Sequence, residues 1–209
     1  MFDILKAKES FMNYVRQFDL TNDKIHLKLV HTLEVVRTTE YLCLYENITG
    51  VERDLAYLIA LLHDIGRFEQ IKRFNSFDDR NIDHAKLGVQ VLFKEGMIRN
   101  FIDDDQYDEI IEKAIAYHSL YKIPNNLEPS LLKQVLLIRD SDKLDNFRVK
   151  NIESIQTLFS ISDADFYSQR VSQNILKDIE NHTLILKENR HNEVDMWVSY
   201  MAFVFDLNF

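Results

Sequence analysis

Four glycines and two prolines are all the strong chain-turning residues that 209 positions contain. A β-rich fold of this length needs far more turn chemistry than that. Apolar residues instead recur at spacings of three and four almost throughout. The chain is therefore expected to be all-α, a single-domain helical bundle of roughly eight to ten helices. Segments near 3–18, 23–47, 52–64, 84–96, 105–118, 130–145, 151–160, 164–189 and 193–206 read as helices. The longest irregular stretch before a candidate ligand runs from Arg73 to Asp83, polar and crossed by Phe74 and Phe77. It connects two helices, with the option of covering a site. At 24.8 kDa and 46% hydrophobic residues, the chain fills one core without staples.

The run Leu55-Ala-Tyr-Leu-Ile-Ala-Leu-Leu-His63-Asp64-Ile-Gly66 is apolar on every side and reads as a central helix buried all round, with Gly66 as its left-handed cap. A carboxylate at that end is taken from water and meets the negative pole of the helix. Something positive should face it. Arg67 is the one flanking cation, whereas a divalent metal would use His63 and Asp64 together. A buried His–Asp hydrogen bond capping the helix is the plainer alternative.

Four more residues bear on that choice. His31 belongs to the series Leu27, His31, Val35, Thr38, Leu42 and Tyr45, which stays on one helix face. His118 follows Ile111, Ala114 and Ile115 and also faces inward. His84 follows Asp83, a good N-cap, and leads Leu87, Gly88 and Val91, placing it in the first turn of a helix. Taken singly, each histidine also fits a core or surface role. In Arg139-Asp-Ser-Asp-Lys-Leu-Asp145, helical phase selects Asp142, which shares a face with Leu131, Val135 and Ile138. Asp140 lies about 200° away and reads as solvated. Asp145 continues the Asp142 face and is a candidate for orienting a ligand or a water.

In this order, His31, His63-Asp64, then Asp142 within Ser-Asp-Lys-Leu-Asp, the chain resembles the HD-domain superfamily of metal-dependent phosphohydrolases over residues 26–150 or so. His84, in Asp-His-Ala-Lys-Leu-Gly, and His118, in Ala-Ile-Ala-Tyr-His-Ser, resemble the extra histidines of its two-metal branches. Those branches include symmetrical diadenosine tetraphosphate hydrolases, cyclic-di-GMP phosphodiesterases and a few di-iron oxygenases. The resemblance implies an HD core near 26–150 with a helical extension near 151–209. It further implies one metal on His31, His63, Asp64 and Asp142, with Asp64 bridging to a second on His84 and His118. Such a ligand set suits one or two divalent transition-metal ions: iron, manganese, cobalt, nickel or zinc. Two such ions share a water, lower its pKa and hold a phosphoryl group in line.

The implied function is hydrolysis of a small nucleotide or related phosphoester by a metal-activated water, with Asp64, Arg67 and Lys143 as the catalytic candidates. Arg67 and Lys143 adjoin ligands and are expected to meet substrate phosphate, with Arg80 as a third choice. The alternatives are a metal-stabilised, non-catalytic HD module that binds a nucleotide or partner, and a di-iron oxygenase. The cyclic-di-GMP branch fits poorly: Tyr117-His118 stands where it carries paired histidines, and there is no Gly-Tyr-Pro signature.

A net charge of −9, with no basic run, argues against a duplex nucleic-acid binder. The longest apolar run, Leu55 to Leu62, is too short to span a bilayer, and the start lacks an apolar signal core. With Cys43 as the single cysteine, expected to be a small buried hydrophobe, the chain is expected to be soluble and cytoplasmic. His182 and His191 read as solvated. The aromatic segment Met196–Phe205 is expected to pack as a closing helix, or else to form a homodimer interface.

Overall fold

Helices begin where a short polar side chain precedes an apolar run. Asp3 accepts from the Lys6 amide and starts α1 (Ile4–Val15). Asn22 caps α2 (Asp23–Tyr45) through the amides of Lys24 and Ile25. Asp83 caps α5 (His84–Val89) through those of Ala85 and Lys86, as the sequence predicts. Between them lie α3 (Gly50–Leu62) and α4 (Ile65–Phe74). Beyond come a π-helical turn over Gln90–Lys94, a 3-10 turn over Met97–Asn100, α6 (Asp108–Tyr117) and α7 (Pro129–Ile152). The computed structural model describes residues 3–77, 79 and 82–209, and the regular elements among them are all helices. Arg80 lies outside the described residues.

Two units divide the chain, the first running to Ser141 and including Phe209, the second covering Asp142–Asn208. The division falls within α7. In the first unit α3 is the central rod, packed against α1, α2 and α6. Leu58, Ile59, Leu61 and Leu62 on it are wholly buried. Each such side chain contributes about 1.5–3 kcal/mol when removed from water. Phe68 of α4 meets the rings of Phe11, Tyr14 and Phe18 at centroid distances of 6.0, 6.0 and 5.6 Å, tying α4 to the start of the chain.

Gly66 is not the left-handed cap that the sequence predicts. It lies in the first turn of α4, and its role is close approach: a Cβ there would come within 2.2 Å of the His84 carbonyl oxygen and 2.5 Å of the Gly88 nitrogen. The left-handed residue comes nine positions later, where Asn75 ends α4 at φ 47°. The chain therefore bends at His63-Asp64 and resumes as a helix, and α4 takes up the start of the stretch expected to be irregular.

In the second unit, α8 (Ile155–Phe159), α9 (Asp163–Ser168), α10 (Gln173–Glu180) and α11 (Glu193–Ser199) follow the end of α7. The helix expected over 164–189 is interrupted. Gln169 is extended, and buried Asp195 accepts from the Ser172 amide, the Ser172 hydroxyl and the His191 amide, fixing the turn between α9 and α10 and the entry to α11. Ile175, Ile185 and Ala202 form a small core with Val198, so the closing aromatic segment packs within its own unit.

Candidate metal centre

His63 and Asp64 occupy the break between α3 and α4, held there by the buried wall of α3 before them and by Ile65 and Phe68 after. Asp64 thus faces two helix ends. It follows the negative pole of α3 but stands at the N-cap position of α4, where the dipole favours an anion. The Tyr14 hydroxyl donates to the Ile65 carbonyl at 3.3 Å and pins the turn from outside.

The four histidines named from sequence in this unit converge on that carboxylate, and they divide between its oxygens. His31 Nε2 and His63 Nε2 lie 3.6 and 3.7 Å from Asp64 Oδ2. His84 Nε2 and His118 Nε2 lie 3.4 and 3.9 Å from Oδ1. All five residues are at most 3% exposed. Suitable ligand atoms of His63, Asp64 and His118 fall within 4.8 Å of one another.

Three of the rings have their tautomer set from behind. His63 Nδ1 donates to the Ala60 carbonyl at 2.8 Å, His118 Nδ1 to the Ile115 carbonyl at 2.7 Å, and His84 Nδ1 to Asp79 Oδ1 at 2.7 Å. Each partner can only accept, so each Nδ1 carries a hydrogen, and the ring in its neutral form turns an Nε2 lone pair inward. His84 Nε2 and His118 Nε2 then face each other at 3.1 Å, beside a carboxylate. Imidazole nitrogens gathered round a buried carboxylate favour a cation among them, and the Lys28 ammonium already lies 2.7 Å from Oδ2. Imidazole nitrogens backed by carbonyl or carboxylate acceptors, together with a shared carboxylate, are a donor set that fits divalent transition metals.

The charges agree with this reading. Burial opposes ionisation of Asp64, but Lys28, His63, His84 and Arg67 together outweigh it and hold the carboxyl well below its ordinary value. His84 is pushed down to about 4, chiefly by burial and then by Arg67, against the pull of Asp79. Both groups therefore stand ready as ligands at neutral pH.

Several surrounding residues were not visible in the sequence pattern. Lys28 Nζ donates to Asp64 Oδ2 at 2.7 Å. Its one legible signal is its position three residues before His31 on α2. Asp79 is held by Arg67 through Nη1 and Nη2 at 2.7 and 3.3 Å and by Gln70 Nε2 at 3.2 Å. Arg67, expected at substrate phosphate, also donates to Gln70 Oε1 and the Phe77 carbonyl. Arg139 donates to the carbonyls of Tyr117, His118 and Leu120, so α7 fixes the end of α6 that carries His118.

Asp142 opens the second unit on α7, four residues after buried Ile138, and its Oδ1 accepts from Asn146 Nδ2 at 2.9 Å. Lys143, the other expected phosphate contact, is buried with Nζ 2.9 Å from Asp206. Asp145 accepts from Arg148 at 2.5 and 3.1 Å. Asp140, expected to be solvated, is buried and accepts from the Phe209 amide at 2.9 Å, a contact between residues remote in sequence that helical phase could not supply. Cys43 is buried, with burial pushing its thiol up to about 11, and His182 and His191 are exposed, all as expected.

A family model described as HD domain matches residues 29–146, more than half of the chain and a span containing His31, His63, Asp64, His84, His118 and Asp142. No curated protein and no solved structure matches the chain.

Proposed function

The chain belongs to the HD-domain superfamily of metal-dependent phosphohydrolases, and from that premise we propose that it hydrolyses a small nucleotide or related phosphoester at a two-metal centre. The observation that carries this reading is the division of histidines about Asp64: His31 and His63 on Oδ2, His84 and His118 on Oδ1. A carboxylate so placed can serve two ions at once. Divalent transition metals held by these residues would supply Lewis acidity towards a phosphoryl oxygen and a more acidic water.

The remaining work falls to the chain itself. Asp64 carries the negative charge that both sides of the site share. Ala60, Ile115 and Asp79 keep three imidazoles in the tautomer that presents Nε2. Arg67 holds Asp79 in place, and the apolar wall of α3 keeps bulk water from the ligands. A net charge of −9 disfavours a long polyanion, which supports a small substrate.

The test is phosphate release from a panel of nucleotides and simple phosphoesters, with iron, manganese, cobalt, nickel or zinc supplied in turn. Metal-dependent turnover that disappears in Asp64→Ala is expected. A nucleotide that raises the melting temperature of the metal-loaded protein yet is never consumed would overturn the enzymatic reading in favour of a binding module.

A further inference from the structure

Arg67 and Lys143, the cations expected at substrate phosphate, are each held by a carboxylate, Asp79 and Asp206 respectively. Lys28 differs in where its charge rests. It stands on α2 one turn before His31, on the same face, and its ammonium lies 2.7 Å from Asp64 Oδ2, the oxygen that His31 and His63 also approach. The lysine side chain is 12% exposed where the Asp64 side chain is 3%, so Lys28 reaches from the carboxylate towards solvent. The Phe77 ring lies 5.6 Å from its ammonium and lines that path.

An ammonium and a divalent cation cannot both rest on one carboxylate oxygen without repulsion. A lysine is also a flexible arm ending in a point charge, able to exchange one anion for another without moving its helix. We propose that Lys28 is a metal-gated phosphate contact: it neutralises Asp64 in the metal-free protein, and metal binding displaces it to meet the phosphoryl group of the substrate. The inference rests on the phosphohydrolase reading and adds to it the residue that recognises the substrate anion. It also accounts for a cation placed where an ion should sit, since the lysine keeps the buried carboxylate neutralised until metal arrives.

The test compares the wild-type chain with Lys28→Gln and Lys28→Arg by titration calorimetry, first with manganese(II) alone and then with inorganic phosphate added to the manganese-loaded protein. Lys28→Gln should bind manganese more tightly and phosphate about tenfold more weakly, with Lys28→Arg restoring much of the phosphate affinity. Opposite signs for the two ligands are what a purely structural role would not give. Unchanged phosphate affinity in Lys28→Gln overturns the role of Lys28 and leaves the metal centre standing, as does weakening of both ligands alike. Failure of the wild-type chain itself to bind manganese or phosphate overturns both this inference and the phosphohydrolase reading.

Discussion

Asp64 meets histidines on both of its oxygens, and its neighbours are arranged to keep it ionised in a buried place. On the proposed two-metal reading, replacing it with alanine should abolish metal binding and turnover, whereas His84→Ala or His118→Ala should remove mainly one ion, as read by elemental analysis of each variant. Asp79 acts one bond further out. Asp79→Ala frees the His84 ring to change tautomer, and a loss of about 10–100-fold in affinity for the ion on that side is expected, with an unchanged far-ultraviolet spectrum. Equal metal affinity in the variant would mean that the ring needs no such support. The contrast between these residues explains what the sequence made legible. His31 and His118 announced themselves because helical phase put them on apolar faces, and His84 through the Asp83 N-cap before it. Asp79 lies in a connection with no period to read, and Lys28 looks like any lysine near the edge of a helix until its partner, 36 positions away, is known.

At the scale of elements, α3 was readable because eight successive apolar residues leave no polar face, and the structure buries every one of them. Leu61→Ala should cost about 2–5 kcal/mol in denaturant unfolding of the metal-free protein, since the site has no room to collapse around the loss. α4 was hidden behind Gly66, which looks like a stop signal. Its periodic residues Ile65, Phe68 and Ile71 are all buried, and the glycine is required by the backbone of α5 lying against it. Gly66→Ala should therefore destabilise the protein, by about 1–3 kcal/mol, although alanine is the better helix former. Equal or greater stability would show that α4 and α5 separate without penalty. The break between α9 and α10 escaped the sequence pattern for another reason: it is fixed by Asp195, more than twenty residues downstream, and no local spacing encodes that contact.

For the whole molecule, the buried centre ties stability to pH. His84 has a folded value near 4 against an ordinary 6.5, so the unfolded chain takes up a proton first as pH falls. Stability of the metal-free protein should decline between about pH 6.5 and 4, by on the order of 2–3 kcal/mol from this group. Asp64, depressed below the ordinary carboxylate range, adds a further loss of the same sign at lower pH. Urea midpoints across this range would show the slope, and His84→Asn should flatten its upper part. Among the described residues no helix is long and apolar enough to cross a membrane. The central claim is that Asp64 is shared by two metal ions. Its most direct test is the metal content of protein purified without added metal or chelator, with Asp64→Ala prepared alongside. About two equivalents of a transition metal in the wild-type chain, absent from the variant, are predicted. No metal, and none taken up when iron, manganese, cobalt, nickel or zinc is offered, would contradict the account and reduce the cluster to a structural one.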